Sequence, residues 1–369
     1  MKIALVHDYL KEYGGAEGVL HTFHQMWPEA PIYTLVYLPK YLGPHRSKFN
    51  PKNIHALIPS WIPFLAKLMS PLRLIAPVLF SRLDLTKFDL VIVSATGAYN
   101  PNLIKTPKGI HICYCHTPPR YLYGLPTARE WKKHWWVRVP AEIANHFLRM
   151  MDFQSAQKVD HFIANSQNTA ERIWKFYRKK ATVIYPPVDL QQNKRIKGQK
   201  SGNKEYFLTG GRLARAKRVD LAIAACTKLN LPLKVFGRMF AGYGKEFKKM
   251  AGSTVEFLGE VTDKQKAELY AGCKALIFCG LEEDFGIMPV EAMAAGKPVI
   301  GLKQGGIKET IIEGKTGEFF DQPTVESLVS KLQSFKVSNY KPEDCRKQAQ
   351  KFSKERFMKE IKEFIKKYA

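Results

Sequence analysis

No stretch of about 18 uninterrupted apolar residues occurs in this 369-residue chain, so no segment reads as a membrane-spanning helix. The opening residues, MKIALVHDYL, carry one lysine and a short strand-like run; the apolar core and cleavage site of a secretory signal are missing. The six cysteines (Cys113, Cys115, Cys226, Cys273, Cys279, Cys345) have no framework spacing. Cys113-Tyr-Cys115-His116 lacks the usual C-x₂₋₄-C spacing of a zinc site and has no second pair. Buried, reduced thiols on a strand are the better reading, and they fit a cytoplasmic protein. Acid is scarce as well: residues 30–83 hold no Asp or Glu, against seven Lys and Arg.

What is present is a large cationic excess, 58 Lys and Arg against 33 Asp and Glu, for a formal net charge of +25. Residues 1–187 hold 24 basic and 11 acidic residues, +13 of that total, so the charge is no single basic tail. Surfaces that meet phosphates, acidic lipids or nucleic acid would carry it; so would a lysine-rich composition with no partner at all. Hydrophobic residues make up 45 %, enough for two cores, and the length suits two domains.

Short apolar runs alternate with helical patterns in both halves. Ile3–Val6, Asp89–Ser94, Ile110–Cys115, His161–Ala164 and Ala181–Tyr185 read as strands, with helices over Glu17–Met26 and Gln167–Tyr177. Residues 188–204 are polar and basic without periodicity, as a linker would be. The rhythm then restarts, with strands at Glu205–Thr209, Leu233–Phe236, Val255–Leu258, Ala275–Phe278 and Pro298–Gly301 and helices at Arg218–Lys228 and Lys264–Ala271. Such alternation predicts α/β domains with parallel, doubly wound sheets: an N-terminal domain over 1–187 and a C-terminal one over 188–350. Residues 351–369 are expected to form a helix packing back toward the N-terminal domain, on the spacing of Phe352, Phe357, Ile361 and Ile365.

The most informative stretch is EDFGIMPVEAMAAGKPVIG, Glu283–Gly301. Pro289 suits the first turn of a helix, Gly296 its end, and Pro298 stops continuation before the next strand. Phe285-Gly286-Ile287 then turn over a helix N-terminus, where free N–H groups favour an anion. Glu283 before that turn and Glu291 in the first helical turn cannot bind phosphate but accept well from sugar hydroxyls. Phosphate at a helix end and hydroxyls on carboxylates describe a nucleotide sugar. Gly210-Gly211-Arg212, with Lys217 beyond, follows a strand directly, and two cations there can hold a diphosphate.

These residues resemble glycosyltransferase family 4, the retaining enzymes of GT-B fold. The matched motifs are E-x₇-E from Glu283 to Glu291, Arg212 and Lys217 in the GGR…K loop, and Gly305-Gly306-x-x-Glu309. The EDFGI form, with CHTPPRYLY upstream, is most similar to the bacterial O-antigen mannosyltransferase branch. The resemblance covers nearly the whole chain and implies two Rossmann-like domains facing across a cleft. It assigns Glu291 to the ribose, Glu283 to the donor sugar, and Arg212 with Lys217 to the diphosphate. Two departures stand out: Gly237-Arg238-Met239-Phe240 replaces a Gly-x-Gly-Pro, and Cys279-Gly280 replaces Pro-Ser. Both leave base selectivity open.

In the first half, Gly14-Gly15 at a helix start, with Glu17, offers a close backbone approach for an acceptor, although a GG loop alone is equally a tight turn. His116 follows the Ile110–Cys115 strand. Family members carry a histidine there, near donor sugar and acceptor, and the expectation is that His116 donates a hydrogen bond rather than acting as a base. The resemblance implies front-face displacement without an enzymic nucleophile. No metal and no cofactor are expected: Glu282-Glu283-Asp284 lacks matching carboxylates elsewhere, and fixed cations can replace a divalent ion.

The 30–83 stretch includes WIPFLAKLMSPLRLIAPVLF (Trp61–Phe80), a mix that suits a helix lying in a membrane interface, or else ordinary core helices among solvated lysines. Trp131–Trp136 extends the aromatic and basic character. The functional expectation is therefore a hexosyltransferase, with GDP-mannose as donor on branch resemblance, acting on a lipid-linked or polysaccharide acceptor in cell-surface glycan synthesis. Its place would be cytoplasmic or peripheral at the inner face of the membrane. A UDP-sugar donor or a sugar-nucleotide epimerase shares the fold; phosphorylases of this fold carry a pyridoxal-phosphate lysine motif that is absent. Nucleic-acid binding, prompted by 14 Lys and Arg against three acids over residues 171–218, has no recognised module behind it.

Overall fold

Runs such as Ala4-Leu5-Val6 and Val91-Ile92-Val93 are apolar on both sides of the strand, which suits parallel sheets covered on both faces. The computed structural model describes residues 1–105, 108–127, 135–190, 206–239 and 242–368. Two compact units emerge: residues 1–125 with 131–187 and 355–369, and residues 188–354 with 126–130. Most of the expected linker, residues 191–204, lies outside the described residues, as do Trp131–His134.

In the first unit the described strands are β1 (Ile3–His7), β2 (Ile32–Val36), β3 (Ile54–Ile58), β4 (Leu90–Ala95), β5 (Ile110–Cys115), β6 (His161–Ala164) and β7 (Ala181–Val183). They form one parallel sheet in the order β3-β2-β1-β4-β5-β6-β7. Helices α1 (Gly15–Met26), α2 (Leu72–Arg82), α3 (Trp135–Gln157) and α4 (Gln167–Tyr177) connect them. Alternate residues divide the core. Val6, Val93, Cys113 and Phe162 point to one face, with Phe80 of α2, Ala156 of α3 and Ile173 of α4. Leu5, Ile92, Tyr114 and Ile163 point to the other, against Leu20 and Phe23 of α1.

The second unit holds β8 (Tyr206–Gly210), β9 (Leu233–Phe236), β10 (Val255–Gly259), β11 (Cys273–Phe278), β12 (Val299–Leu302) and β13 (Gly317–Phe320), parallel in the order β10-β9-β8-β11-β12-β13. Its helices are α5 (Val219–Lys228), α6 (Gly244–Met250), α7 (Asp263–Gly272), α8 (Ile287–Ala294), α9 (Ile307–Thr310), α10 (Val325–Ser334) and α11 (Pro342–Gln350). Both sheets are doubly wound, and each reverses its strand order once, between β1 and β4 and between β8 and β11. At such a reversal the loops at the strands' C-terminal ends diverge and leave room for a ligand.

The last helix, α12 (Lys354–Tyr368), completes the first unit's core. Phe357 meets Phe23 and Tyr114 at centroid distances of 5.5 and 5.8 Å, and Ile361, Phe364 and Ile365 are buried with it. Phe352, grouped with these residues by spacing, parts from them: it packs on Phe285 of the second unit at 5.4 Å.

The stretch Trp61–Phe80 is no continuous helix. Residues 61–71 run through turns, and α2 begins only after Pro71, which serves as its N-cap. Leu72, Ala76 and Phe80 are buried, so α2 contributes to the core as well as to the surface. Among the described residues no helix is long and apolar enough to cross a membrane. The six cysteines are free and buried, and burial pushes the Cys226 thiol up to about 12.

Candidate active site

In the second unit the reversal point is bordered by the loop after β8 and the loop after β11. Glycines set both. Gly210 leaves no room for a side chain beside the Phe236 carbonyl, where a Cβ would sit 2.5 Å away. Gly211 adopts φ +98°, and Gly237 at φ +119° lies so close that its Cβ would fall 1.8 Å from the Gly211 oxygen. The chain then presents Arg212, whose side chain is exposed, and turns through a short 3₁₀ segment, Arg215–Lys217. That turn is tied to the β11 loop by Leu281 N–H donating to the Ala216 carbonyl at 2.8 Å.

Across this tie, Lys217 Nζ donates to Glu283 Oε1 at 2.5 Å. Gly280 makes the geometry possible, since a Cβ there would meet Glu283 Oε1 at 2.7 Å. The backbone of the loop is fixed from the other side by Gly305 and Gly306. Gly306 N–H donates to the Glu283 carbonyl at 2.7 Å, and a Cβ on Gly305, at φ +65°, would fall 2.3 Å from that oxygen. Gly305-Gly306 is therefore a backbone clamp on Glu283.

Helix α8 starts at Ile287, with Gly286 as N-cap at φ +87°. The helix begins two residues before Pro289, so Glu291 lies in its second turn and not its first; glycine's access to the left-handed region lets the turn come earlier. The N–H groups of Ile287 and Met288 head the helix with no intrahelical acceptor. Phe285 is buried against Phe352, so only its backbone borders the loop.

Glu291 is held by two groups that motif reading missed, both on α7. Lys266 Nζ donates to Oε1 at 2.7 Å and Tyr270 Oη to Oε2 at 2.9 Å. Burial works against the Lys266 charge, but Glu291 beside it outweighs that and the ammonium pKa stands above its ordinary value. Burial, then the Glu291 charge, push Tyr270 well up. Arg218 belongs elsewhere: its guanidinium grips Asp220, with contacts of 3.0 and 3.1 Å.

In the first unit, three side chains meet at the C-terminal ends of adjacent strands: His7 on β1, Ser94 on β4 and His116 just after β5. His7 Nδ1 lies 3.0 Å from the Ser94 carbonyl oxygen and 3.1 Å from Ser94 Oγ. Ser94 Oγ lies 2.9 Å from His116 Nε2. A carbonyl only accepts, so His7 Nδ1 carries a hydrogen. We assign the Ser94 hydroxyl proton to His116 Nε2, which places the hydrogen of the neutral His116 ring on Nδ1. Burial, with the neighbouring His7 adding to it, lowers the His116 pKa to about 3. The ring is thus a neutral donor through Nδ1–H.

Gly14 and Gly15 are exposed at the head of α1, whereas Glu17 is buried. Glu17 Oε2 accepts from Gly14 N–H at 2.9 Å and Oε1 lies 3.7 Å from His7 Nε2. Its carboxylate shapes the glycine turn from behind. Asp8, fully buried, does the same for the loop after β4, accepting from Thr96 N–H at 2.5 Å and Tyr99 N–H at 2.8 Å. Burial raises its carboxyl pKa, and His7 with the two amides counters part of that. Neither Asp8 nor Ser94 belongs to a motif; a polar residue ending an apolar run was the available signal. Among the described residues no group of three or more His, Cys, Asp or Glu is arranged to hold a metal.

Two family models match the chain, Glycosyltransferase Family 4 over residues 13–192 and Glycosyl transferases group 1 over 191–352. The alpha-1,3/1,6-mannosyltransferase ALG2 of Mus musculus is 28 % identical over 282 residues, covering 68 % of this chain and 65 % of that protein. The Dictyostelium discoideum enzyme of the same name is 26 % identical over 288 residues, 66 % of each. These matches span just under two thirds of the relatives' length. Among solved structures, Anabaena Alr3699/HepE in complex with UDP superposes with a TM-score of 0.70 at 18 % identity, covering all of both chains. Sucrose-phosphate synthase from Thermosynechococcus elongatus superposes with 0.73 at 15 %, covering 100 % of this chain and 99 % of that one. At such identities the likeness is one of fold: two Rossmann-like domains of the GT-B class.

Proposed function

This chain belongs to glycosyltransferase family 4, and on that footing we propose that it moves a hexose from a nucleoside diphosphate sugar to a glycan or lipid-linked acceptor, with retention of configuration and without a metal. The support is one arrangement: the Lys217–Glu283 ion pair beside the amide end of α8, at the point where the second sheet reverses. Lys217 and Arg212 meet the diphosphate and stabilise the charge that builds on it as the sugar leaves. Glu283, clamped through its backbone, accepts from donor-sugar hydroxyls, and Glu291, fixed by Lys266 and Tyr270, accepts from the ribose. Ile287 and Met288 amides complete the anion site with Gly286. Lys217 changes partners in part on donor binding, from Glu283 to phosphate, so the carboxylate is freed for hydroxyls as the phosphate arrives.

His116 donates through Nδ1–H to the transferring sugar, and the exposed Gly14-Gly15 turn receives the acceptor. No side chain is required as a nucleophile: the leaving phosphate takes the acceptor proton on the same face, and rate comes from orientation and charge stabilisation.

GDP-mannose is the proposed donor, in keeping with mannosyltransferase relatives, and the product is a cell-surface lipopolysaccharide or polysaccharide precursor, made at the cytoplasmic leaflet. A panel of GDP-, UDP- and ADP-sugars read by thermal shift tests this. Ligand at about 100 times its Kd adds roughly 2.7 kcal/mol to stability, so the true donor stands out, and Glu291→Ala removes its shift. A UDP-sugar giving the largest shift would replace the donor assignment while keeping the reaction; no shift with any of the three classes would refute the site. Transfer that survives a chelator is the accompanying expectation.

A further inference from the structure

Helix α3 is turned inside out. Apolar residues recur along it at 136, 139, 143, 147 and 150, the spacing of one helical face, and in a globular protein that face is normally buried. Here it is the outer one: Trp136, Val139, Ile143, Phe147 and Met150 are 50–60 % exposed. The face turned into the unit is the more polar of the two, with Asn145, Asp152 and Ser155 buried beside Leu148 and Ala156. Asp152 accepts from Tyr123 Oη at 2.8 Å, which gives the inward polar face its partner and fixes the helix in this rotation. Helix α2 packs against α3. It and the turns before it expose further apolar groups, Trp61, Phe64, Leu74 and Ile75, with Trp61 at 80 %.

Monomeric soluble proteins rarely leave contiguous apolar surface of this kind in water. Its charge indicates what covers it. Residues 30–83 contain no acid, Lys67 and Arg82 are exposed there, and Arg138 is exposed on α3. Of the two acids on α3, Asp152 is buried and Glu142 half-buried. Apolar side chains flanked by cations match a leaflet of acyl chains beneath anionic headgroups.

We propose that α3 and the adjoining 61–82 segment form a docking face for an anionic bilayer, seating the first unit where a lipid-linked acceptor is presented. The docking face deepens the acceptor half of the proposed function and rests on it for its purpose, yet vesicle binding and sugar transfer are measured separately.

The test is flotation of the full chain with phosphatidylcholine vesicles, with and without phosphatidylglycerol, at low and high salt. Binding is expected to acidic vesicles, weakened by salt. The double variant Ile143→Ser/Phe147→Ser lowers it on the order of tenfold, because two inserted side chains are lost. Val337→Ser, at an exposed apolar site in the second unit, leaves it unchanged. Both altered residues of the double variant are solvent-facing, so its melting transition stays near that of the parent. As a second readout, brominated lipid quenches part of the tryptophan fluorescence of the parent, and Trp61→Phe/Trp136→Phe, which takes away two exposed indoles of the face, lowers that part. Transfer to a water-soluble acceptor is unaffected by Ile143→Ser/Phe147→Ser, so a failed transfer assay with intact flotation refutes the transferase reading and leaves docking standing. Absence of flotation with acidic vesicles at low salt overturns the docking face. Equal flotation of parent and double variant also overturns it. A parent that sediments as a dimer, made monomeric by the double variant and without vesicle binding, overturns it in favour of a second copy.

Discussion

Ser94→Ala isolates the hydrogen-bond chain behind His116. In the parent, Ser94 Oγ sits 2.9 Å from His116 Nε2, and Ser94 has no exposure. Deleting the hydroxyl leaves His7 its second acceptor, the Ser94 carbonyl at 3.0 Å, but strips His116 Nε2 of its donor. A buried acceptor without a partner costs about 1–3 kcal/mol, and roughly 2–4 °C is lost per kcal/mol in a domain of about 200 residues. A melting temperature lower by about 2–12 °C is therefore expected. The tautomer changes too. A net hydrogen bond of about 1.4 kcal/mol is worth a factor of about ten in a population ratio, so the Nδ1–H form loses about tenfold of its advantage over Nε2–H. If only Nδ1–H meets the sugar, kcat/KM falls by up to about tenfold. The assay is ¹⁵N correlation spectroscopy of the His116 ring in parent and variant, beside steady-state transfer kinetics. An unchanged tautomer ratio refutes the hydrogen-bond assignment; a changed ratio with unchanged kcat/KM refutes the role given to Nδ1–H.

Three further outcomes follow from the geometry. His116 has a folded pKa near 3 against about 6.5 unfolded, so between those values the unfolded chain binds the extra proton and acidification destabilises, by at most ~1.4 kcal/mol per pH unit. Asp152, raised by burial to about 7, has the opposite sign between about 3.8 and 7. The His116 contribution is therefore read as a difference: chemical denaturation of parent and His116→Gln converges as pH falls from 6.5 toward 3, and parallel curves would refute it. Lys266→Met removes the 2.7 Å contact to Glu291; with charged hydrogen bonds worth about 1.5–3 kcal/mol, donor KM rises about tenfold while kcat holds, and an unchanged KM separates Glu291 from donor binding. Gly305→Ala meets the Glu283 carbonyl at 2.3 Å in a left-handed backbone, a cost of ~3 kcal/mol or more in strain and overpacking. Donor-induced thermal shift is lost with it; a retained shift would show the clamp to be dispensable.

Much of this protein was legible before folding was considered. Strand and helix periods produced two βα series, and β5, β6, α4 and β9 lie at the residues their sequence patterns indicate. Residue type and spacing singled out Arg212, Lys217, Glu283 and Glu291, because a helix start announces itself locally through Gly, Pro and the residues between them. The strands β2, β3 and β13 went unread.

Partners at long range are a different matter. His7, Ser94 and His116 converge because β1, β4 and β5 pair in parallel with His7 opposite Ser94 and Ser94 opposite Tyr114, and a register across 87 residues is set by packing of the whole sheet. Lys266 and Tyr270 reach Glu291 from a helix laid beside α8 by the second unit's own sheet. The chain by itself determined which residues could make a helix with one apolar face in α3. Only the tertiary structure decided that this face points outward, because Asp152, held by half-buried Tyr123, and buried Asn145 occupy the inner side, and periodicity specifies a stripe without saying which way it is turned.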